Sequence, residues 1–541
     1  MVALAGLAHA ASIAAPWSGE PEWWLQLLAM GLLVWQIDKA ASPRQAAWLG
    51  WIFTTAWLCG TFWWLFISMH TYGGLHPVLT VLAIFALAAV LALYYALACY
   101  AFKRWSYWRE KPANKTQAAL FFAAVWTMAE MARGTWFTGF GWGAAGYAHL
   151  ESLGNLAKYV GAYGLAALAA FVAASVALCL RGGVRSPATL KAMAPVVLIA
   201  VLAQVTDRQF SAPGATMSVA LLQGNIKQSE KFQPSTGIAD ALKWYGQQAE
   251  VAQAALVVAP ETAIPILPQQ LPDDYWARLS QSFTAGETAG KPRALLIGIP
   301  LGSYSEGYTN SVVGIKPRWP SAPNATPQEA IQGGYRYDKH HLVPFGEFIP
   351  PLFKWFTQMM NIPLGDFNRG SVGQASFEWQ GQRLAPNICY EDLFGEELAA
   401  RFIDPQKAPT IFVNVSNIGW FGNTLAIDQH RAISRMRALE FERPFIRATN
   451  TGDTVVIDHT GRVTHTLARH TRGVLLAQVQ GRVAGDGPSV GTGGTQAGGS
   501  QTGSTVTPFS WWAARFGLYP IWGLCMLFVL FFVIYNKILY K

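Results

Sequence analysis

The sequence contains few charged residues. Only 13% of its 541 residues are Asp, Glu, Lys or Arg, whereas 52% are hydrophobic and 13% are aromatic. An average soluble protein carries about 25% charged residues, so this composition excludes an ordinary cytosolic enzyme and a disordered chain. The mean hydropathy is only +0.22, which is too low for a chain that lies entirely in a bilayer. The composition therefore predicts a polytopic membrane part joined to a large water-soluble part.

Cysteine is also scarce, with five residues in the chain. Four of them lie in apolar runs, where cysteine serves as a small hydrophobic side chain: Cys59, Cys99, Cys179 and Cys525. Cys389 lies in a polar segment without a second cysteine, which excludes a structural disulfide in that region. Cys and His do not recur at metal-site spacings, and no glycine-rich turn has the context of a dinucleotide site. We therefore expect neither a metal nor a cofactor.

Apolar runs that could form membrane helices lie at both ends of the chain. A helix needs about 20 apolar residues to cross the hydrocarbon. The runs predict about eight spans, at 2–15, 22–37, 46–69, 77–102, 117–132, 160–180, 190–205 and 517–536. Ala8-His9-Ala10 resembles a signal-peptide cleavage site, but no basic region precedes it, so we expect the first segment to be retained. The spans predict a bundle over 1–206 and a single C-terminal helix over 517–536.

The basic residues lie in alternate loops between these spans. Lys39 and Arg44 follow the second span, and five basic residues between positions 103 and 115 follow the fourth. The loop between the first two spans instead carries Glu20 and Glu22. Because cytoplasmic loops are enriched in Lys and Arg, this pattern predicts that residue 207 emerges on the outer face of the membrane. The net charge of +9 is thus an orientation signal, and we expect no nucleic-acid partner.

The fifth predicted span contains Glu130 and Arg133, three residues apart and hence on one face of a helix. Ionisable residues at membrane depth are candidates for function. The alternative, which we favour, is a mutual salt bridge near the outer end of the helix. The segment that follows, GTWFTGFGW at 134–142, is typical of an aromatic loop at the membrane interface.

From residue 217 the pattern changes to short β-type runs separated by helical stretches. The runs predict strands at 218–222, 255–259, 294–299, 311–315, 384–388, 410–415, 454–457 and 473–479. Helical patterns lie at 236–253, 273–289 and 426–441. This alternation predicts a soluble α/β or layered α–β domain over 216–482. Residues 484–506 are rich in Gly, Ser and Thr, which predicts a flexible linker.

Three segments of the soluble part combine a strand end with a reactive side chain. Glu261 follows the apolar run 256–260, Lys339 and Glu347 lie between 337 and 348, and Cys389 follows the strand at 384–388. Singly, each has an ordinary alternative: a solvated glutamate, a surface lysine, a buried cysteine. Together they suit acyl transfer, in which an ammonium lowers the pKa of a thiol and a carboxylate of raised pKa acts as base. The same ammonium can stabilise a tetrahedral oxyanion.

The motifs around these side chains are similar to those of a known family. They are PETAIP at 260–265, YDKHHLVPFGEF at 337–348, ICYED at 388–392, SNIGWFG at 416–422 and QHRAISRMRALEFERPFIRATNTG at 429–452. All resemble the apolipoprotein N-acyltransferase family, within the carbon–nitrogen hydrolase (nitrilase) superfamily. EMARGTWFTGFGW at 130–142 resembles the family's membrane part. The chain departs from the family at Phe232, where a tryptophan is usual.

The resemblance implies a role for each matching residue. Glu261 would be the general base, Lys339 the cation that stabilises the intermediate, and Cys389 the nucleophile. Glu347 would support Lys339. The resemblance also implies substrate-contacting positions at Asn310, Tyr390 and Trp420.

The resemblance also implies a fold, a location and a reaction. The soluble part would be an αββα sandwich on the periplasmic face of the bacterial inner membrane. A phospholipid, typically phosphatidylethanolamine, would give its sn-1 acyl chain to the cysteine as a thioester. The chain would then pass to the α-amine of the diacylglyceryl-cysteine that begins an apolipoprotein, and no cofactor would be needed.

Two other functions stay open on the residues alone. A membrane-tethered amidase or nitrilase would use the same side chains but pass the acyl group to water. A non-enzymatic lipoprotein-binding scaffold would leave Glu261, Lys339 and Cys389 scattered. The apolar, Met-rich segment 350–362 is either a lid over a water-sensitive thioester or part of the core.

Overall fold

The computed structural model describes residues 1–108, 111–112, 114–181, 187–284, 291–303, 305–317, 327–349, 367–486 and 504–539. The chain divides into two compact units. The helical unit comprises Met1–Asp207, Thr424–Met436 and Phe516–Lys541, and the sandwich unit comprises Arg208–Asn423 and Arg437–Arg515. The predicted soluble domain, 216–482, therefore contains one segment that belongs to the helical unit.

That segment joins the helical unit through a buried glutamine. The indole N–H groups of Trp64 and Trp142 both donate to Gln429 Oε1, at 2.9 and 2.8 Å. A buried amide oxygen needs such donors, because an unpaired polar group away from water is costly. The start of the helix predicted at 426–441 thus packs against tryptophans of the helical unit, to which it belongs.

Eight helices of the helical unit coincide with the predicted apolar runs. They are α1 (Val2–Ile13), α2 (Trp23–Lys39), α3 (Pro43–Phe62), α4 (Pro77–Trp105), α5 (Lys115–Thr135), α6 (Ala157–Arg181), α7 (Pro187–Val205) and, near the C-terminus, α14 (Tyr519–Leu539). Two short strands, β1 (Tyr107–Trp108) and β2 (Lys111–Pro112), form an antiparallel pair after α4.

The prediction of about eight membrane spans is not confirmed. Among the described residues, only Pro77–Trp105 and Gly154–Leu180 are long and apolar enough to cross a membrane, or three helices if the bent pair Pro508–Phe516 and Tyr519–Tyr535 is one span. Val2–Ile13 and Lys191–Val205 are apolar but shorter than 18 residues. The helices form where apolar runs occur, but several are too short or too polar to be assigned as spans.

The expected salt bridge between Glu130 and Arg133 is not formed. Glu130 Oε1 accepts from the backbone N–H of Ala145 at 2.9 Å. The Arg133 guanidinium donates to Tyr95 Oη at 2.9 Å and to two carbonyls, Phe140 O at 2.6 Å and Trp142 O at 2.9 Å. Both side chains are buried and bind the loop that follows α5, so this loop is fastened to the helix by charge-assisted hydrogen bonds.

The sandwich unit consists of two mixed sheets. The first contains β3 (Ser211–Gln223), β4 (Leu256–Val258), β5 (Ala294–Ser303), β6 (Gly307–Ile315), β7 (Tyr335–Asp338), β14 (Gly473–Asp486) and β15 (Ser504–Thr505), in the order β15-β14-β3-β4-β5-β6-β7. The second contains β8 (Phe377–Trp379), β9 (Gln382–Ile388), β10 (Ile411–Ser416), β11 (Phe445–Thr449), β12 (Val455–Ile457) and β13 (Val463–Thr466), in the order β13-β12-β11-β10-β9-β8.

The remaining helices are α8 (Ala239–Val251), α9 (Tyr275–Thr284), α10 (Pro327–Gln332), α11 (Gly395–Ala399), α12 (Leu425–Phe441, divided between the units) and α13 (Pro508–Phe516). The alternation of side chains along each strand explains the layers. In β3, Val219 and Leu221 face the second sheet, where they pack in one core with β10. Ala220 and Leu222 face the opposite way and pack against α8 and α9. The second sheet is covered by α11, the end of α12 and α13, which completes an αββα arrangement.

The predicted strands all occur, and among the described residues of the sandwich unit five further strands were missed: β7, β8, β11, β13 and β15. Each is short or interrupted by charged and polar residues, so its apolar alternation is weak. The boundaries of the predicted domain and linker also differ. The strand β14 ends at Asp486, and residues 485 and 486 pair with 505 and 504, so the ends of the 484–506 segment belong to the sheet. Residues 487–503 lie outside the described residues.

Candidate active site

Strand ends bring the candidate catalytic side chains together in the sandwich unit. Glu261 follows β4, Lys339 follows β7 and Cys389 follows β9. The strands β9 and β10 are parallel, and the backbone N–H of Asn417, just beyond β10, donates to Glu261 Oε2 at 2.8 Å. This contact joins the two sheets at the carboxyl ends of their strands, the usual place for a site in such layered folds.

The carboxylates and the ammonium form one connected group. Lys339 Nζ lies 3.5 Å from Glu261 Oε1, 2.9 Å from Glu347 Oε1 and 2.8 Å from Glu347 Oε2. The Asn310 amide donates to Glu261 Oε1 at 2.7 Å and to Glu347 Oε1 at 2.8 Å. Lys339 is only 1% exposed, so its charge is compensated by the two carboxylates rather than by water.

The backbone fixes this group. The N–H of Lys339 donates to Asn310 O at 2.8 Å, which holds the start of the loop after β7 against β6. The N–H of Val343 donates to Glu347 Oε2 at 2.9 Å, just before the PFGEF segment. These main-chain donors fix the loop that carries Lys339 and Glu347, which limits the movement of both side chains.

Cys389 occupies a strained turn. Its φ is +52°, in the left-handed region that L-residues other than Asn and Asp seldom adopt, and a short 3₁₀ turn begins there. The Asn414 amide of the neighbouring strand donates to Cys389 O at 3.1 Å. The side chain is only partly buried, so its sulfur can meet a substrate. Strain of this kind persists only where the surrounding structure enforces it, and it is frequent at reactive side chains.

The resting state of the thiol differs from the expectation. Burial and, after it, the Glu261 carboxylate raise the pKa of Cys389 to about 12, even though Lys339 and the Ser416 hydroxyl lower it. Lys339 acts on the thiol in the predicted direction, but the predicted net lowering of the pKa is wrong, because burial and the Glu261 carboxylate outweigh the ammonium. Cys389 is a protonated thiol at neutral pH and needs a base.

The pKa of Glu261 also differs from the prediction. Burial alone would raise the pKa of Glu261, but Lys339, the Asn310 amide, Lys231 and the Asn417 N–H together hold it below its usual value of 4.5. The predicted raised pKa is therefore wrong, because four positive or hydrogen-donating groups surround the carboxylate. Burial likewise opposes the charge of Lys339, yet Glu347, Glu261 and Cys389 raise the pKa of this lysine well above 10.5. Glu261 is thus ionised and Lys339 permanently charged at neutral pH.

Two buried side chains of the site were missed by the sequence analysis. Glu391 Oε1 accepts from the N–H of His340 at 2.6 Å and of His341 at 3.2 Å, and its Oε2 accepts from the N–H of Ile388 and from Tyr337 Oη, both at 2.7 Å. It therefore joins the Lys339 loop to the Cys389 turn. Glu391 lies in the ICYED motif, but its sequence context alone is equally consistent with a solvent-exposed glutamate. Its burial depends on contacts between strands that are distant in sequence.

Lys231 is the second missed side chain. It lies in the segment after β3, is 2% exposed, and its Nζ donates to Glu261 O at 3.1 Å. Polar neighbours in the sequence gave no sign of this burial.

Within the described residues, no three His, Cys, Asp or Glu side chains are grouped as metal ligands would be.

The other predicted substrate contacts lie at the edge of this group. Tyr390 is buried, and its ring packs against the rings of His341 and Phe394, with centroids 5.7 and 5.2 Å away. Trp420 lies in the 3₁₀ turn Ile418–Phe421, directly after Asn417, and is partly exposed. The candidate lid at 350–362 lies outside the described residues.

Comparisons with known proteins identify relatives of the whole chain. The family model of the apolipoprotein N-acyltransferase N-terminal domain matches residues 9–175, and that of carbon–nitrogen hydrolase matches residues 218–486. The chain is 55% identical to the apolipoprotein N-acyltransferase of Verminephrobacter eiseniae, over 95% of this chain and 92% of the relative. It is 42% identical to that of Ralstonia nicotianae, over 88% and 87% of the two chains, and 37% identical to that of Nitrosomonas europaea, over 84% and 86%.

Proposed function

The chain belongs to the apolipoprotein N-acyltransferase family and N-acylates lipoproteins, and from this premise we propose a reaction that proceeds through a thioester on Cys389. The observation that supports it is the buried group in which Lys339 lies between Glu261 and Glu347, with the Cys389 thiol interacting electrostatically with all three. A carboxylate, an ammonium and a thiol in one place supply the base, the oxyanion partner and the nucleophile of acyl transfer.

The first half-reaction loads the acyl chain. Glu261 takes the proton of Cys389, and the thiolate attacks the carbonyl carbon of the sn-1 ester of a phospholipid. The negative charge that develops on the carbonyl oxygen is stabilised by Lys339, which stays charged throughout. The C–O bond then breaks, Glu261 gives its proton to the departing lysophospholipid oxygen, and a thioester remains.

The second half-reaction transfers the acyl chain from the thioester to the lipoprotein. The α-amine of diacylglyceryl-cysteine attacks the thioester carbon in its neutral form. Glu261 accepts a proton from the attacking nitrogen, the C–S bond breaks, and the proton passes to the sulfur, which restores the thiol. An α-amine has a pKa of about 7.7–8.0, so a useful fraction is neutral at physiological pH.

Glu347 and Asn310 would hold the side chains of Glu261 and Lys339 in their positions. Asn310 donates to both carboxylates, and Glu347 binds Lys339 through both oxygens. Glu347 thus holds the ammonium, so that Glu261 is free to exchange a proton with the sulfur. Tyr390 and Trp420 are proposed to contact the lipid chains beside this group.

We further propose that the donor is phosphatidylethanolamine and that the reaction occurs at the periplasmic face of the inner membrane of a bacterium, on a multi-pass protein. The alternation of basic loops supports this orientation. Both substrates are lipids, and each methylene moved into water costs about 0.8 kcal/mol, so a site at the bilayer surface avoids extracting whole chains.

The test uses phospholipid labelled in its sn-1 chain and the full-length protein in detergent. We expect hydroxylamine-sensitive label on Cys389, which a diacylated lipopeptide then removes and carries as an amide. Cys389→Ala should acquire no label, and Cys59→Ala is the matched control. Label that persists in Cys389→Ala contradicts the proposal, and label released only as free fatty acid would favour the amidase alternative.

A further inference from the structure

Lys231 is a second lysine of the site, to which the reaction described above assigns no role. It is almost fully buried, and its Nζ donates to the main-chain oxygen of Glu261 at 3.1 Å. Its segment is held in place by Gln228, whose side-chain oxygen accepts from the Asn417 amide at 2.9 Å. Since the Asn417 N–H also donates to Glu261 Oε2, the base is held from its carbonyl and from its carboxylate.

Lys231 interacts electrostatically with the proposed base and the proposed nucleophile. Burial lowers its pKa from 10.5 to about 8, and the Glu261 carboxylate and Cys389 oppose this shift. Lys227, four residues earlier, is by contrast 74% exposed and pairs with Glu230 on the surface at 3.3 Å. One segment thus carries a lysine that is part of the site and one that is solvated.

The ammoniums of Lys231 and Lys339 both act on Glu261 and Cys389, and Lys339 also offsets the buried carboxylates of Glu347 and Glu391. A proton that moves from Cys389 to Glu261 leaves the net charge of this group unchanged, because one negative charge disappears as another appears. With a neutral side chain at position 231, the Cys389 thiolate would lose one of the two ammoniums that stabilise it and would depend on Lys339 alone. An uncompensated buried charge is strongly unfavourable.

We propose that Lys231 is a positioning residue for acyl transfer, whose ammonium holds the main chain of Glu261 and stabilises the Cys389 thiolate formed when Glu261 takes the thiol proton. This inference rests on the proposed function, in which Cys389 is the nucleophile and Glu261 the base. It assigns to Lys231 a role in the reactivity of the sulfur, beyond a role in the fold.

The experiment measures alkylation of Cys389 by iodoacetamide as a function of pH. The full-length protein in detergent is used, and the modified peptide is quantified by mass spectrometry, so that the other four cysteines do not interfere. The difference between Lys231→Met and the wild type should be largest below about pH 8, the pKa of Lys231, and should shrink above it. We expect Lys231→Met to slow alkylation at pH 7 by about tenfold or more, since one pKa unit changes the thiolate fraction tenfold. Lys231→Arg, which keeps the charge, should stay within about threefold of the wild type at that pH.

Lys227→Met is the matched control and should leave the alkylation rate unchanged at every pH. A structural role alone would reduce the amount of folded protein in Lys231→Met but leave the rate of its folded fraction equal to that of the wild type. An unchanged rate of the folded fraction at pH 7, or a Lys231→Arg variant as slow as Lys231→Met, would overturn the proposal. Because alkylation needs no lipid, failure of acyl transfer would appear separately, as absence of label on Cys389 from sn-1-labelled phospholipid.

Discussion

The two units of the molecule bury charged side chains in different ways. In the helical unit, Arg133 and Glu130 do not pair: Arg133 donates to Tyr95 and to two carbonyls of the loop after α5, and one oxygen of Glu130 accepts from a backbone N–H of that loop. In the sandwich unit, Lys339 lies within 3.5 Å of two carboxylates and interacts electrostatically with Cys389. Charges bound to backbone hold a loop, whereas charges bound to one another can exchange a proton with a neighbour at little electrostatic cost. The comparison predicts that the same kind of substitution has different effects in the two units.

The largest expected effect follows from Lys339→Met. The substitution leaves Glu261 and Glu347 as buried, uncompensated carboxylates and removes the partner of the oxyanion. We expect thioester formation to fall by about 10²–10³-fold or more, the usual cost of losing such a donor. Single-turnover acylation of Cys389 measures it, with Lys316→Met, whose ammonium lies in an exposed position, as control. Loss of less than about tenfold would contradict the assignment of Lys339 as the stabilising cation.

Glu391→Gln should have the next largest effect. The amide that replaces one carboxylate oxygen must face N–H or O–H donors, because both oxygens of Glu391 accept two hydrogen bonds. We expect a destabilisation of about 1–3 kcal/mol and a roughly tenfold lower acylation rate. Thermal unfolding and single-turnover acylation measure the two effects, and Glu378→Gln, at an exposed position, is the control. Unchanged rates would show that the link between the Lys339 loop and the Cys389 turn is dispensable.

Arg133→Met tests the buried charge of the helical unit. The variant loses two hydrogen bonds to loop carbonyls, so the free energy of unfolding should fall by about 1–3 kcal/mol. The rate of thioester formation per folded molecule should stay within about threefold of the wild type, a change of less than 1 kcal/mol. Thermal unfolding and active-site titration separate the two readouts. A tenfold loss of rate with unchanged stability would give the helical unit's arginine a functional role instead.

The smallest expected effect is a difference between the two half-reactions in their pH dependence. Thioester formation should be nearly constant from about pH 6 to 7, because the pKa of Glu261 lies below 4.5, so that the base is ionised, and because Lys231, with a pKa of about 8, is still charged. Transfer to the lipopeptide should rise with pH up to about 8, because the α-amine must lose its proton before it attacks. Single-turnover rates of each step over this range measure the difference. Transfer that does not increase between pH 6 and 8 would show that proton loss from the amine is not required beforehand.

The sequence was sufficient for the parts of the fold that depend on local pattern. Apolar alternation located β3, β5, β9 and β10, and the apolar runs located the helices. Features that depend on contacts between distant residues could not be predicted from the sequence. They include which apolar runs are long and apolar enough to span a membrane, the packing of Gln429 with two tryptophans, and the binding of Arg133 to carbonyls instead of Glu130.

The same division holds at the candidate site. The strand ends and motifs identified Glu261, Lys339, Glu347 and Cys389. Their pKa directions were wrong for the thiol and the base, because a pKa depends on the full set of neighbouring charges. Lys231 and Glu391 were missed because only the assembled strands bury them.

The central claim is that Glu261 removes the proton of Cys389 before the sulfur attacks. Intact-protein mass spectrometry of wild type and Glu261→Gln, each mixed with phospholipid for a single turnover, tests it most directly. The glutamine keeps the shape and the contact with Asn417 but cannot accept a proton. We predict that the acyl mass appears on the wild-type protein and is absent from Glu261→Gln over the same time. Acylation of Glu261→Gln at the wild-type rate would contradict the account.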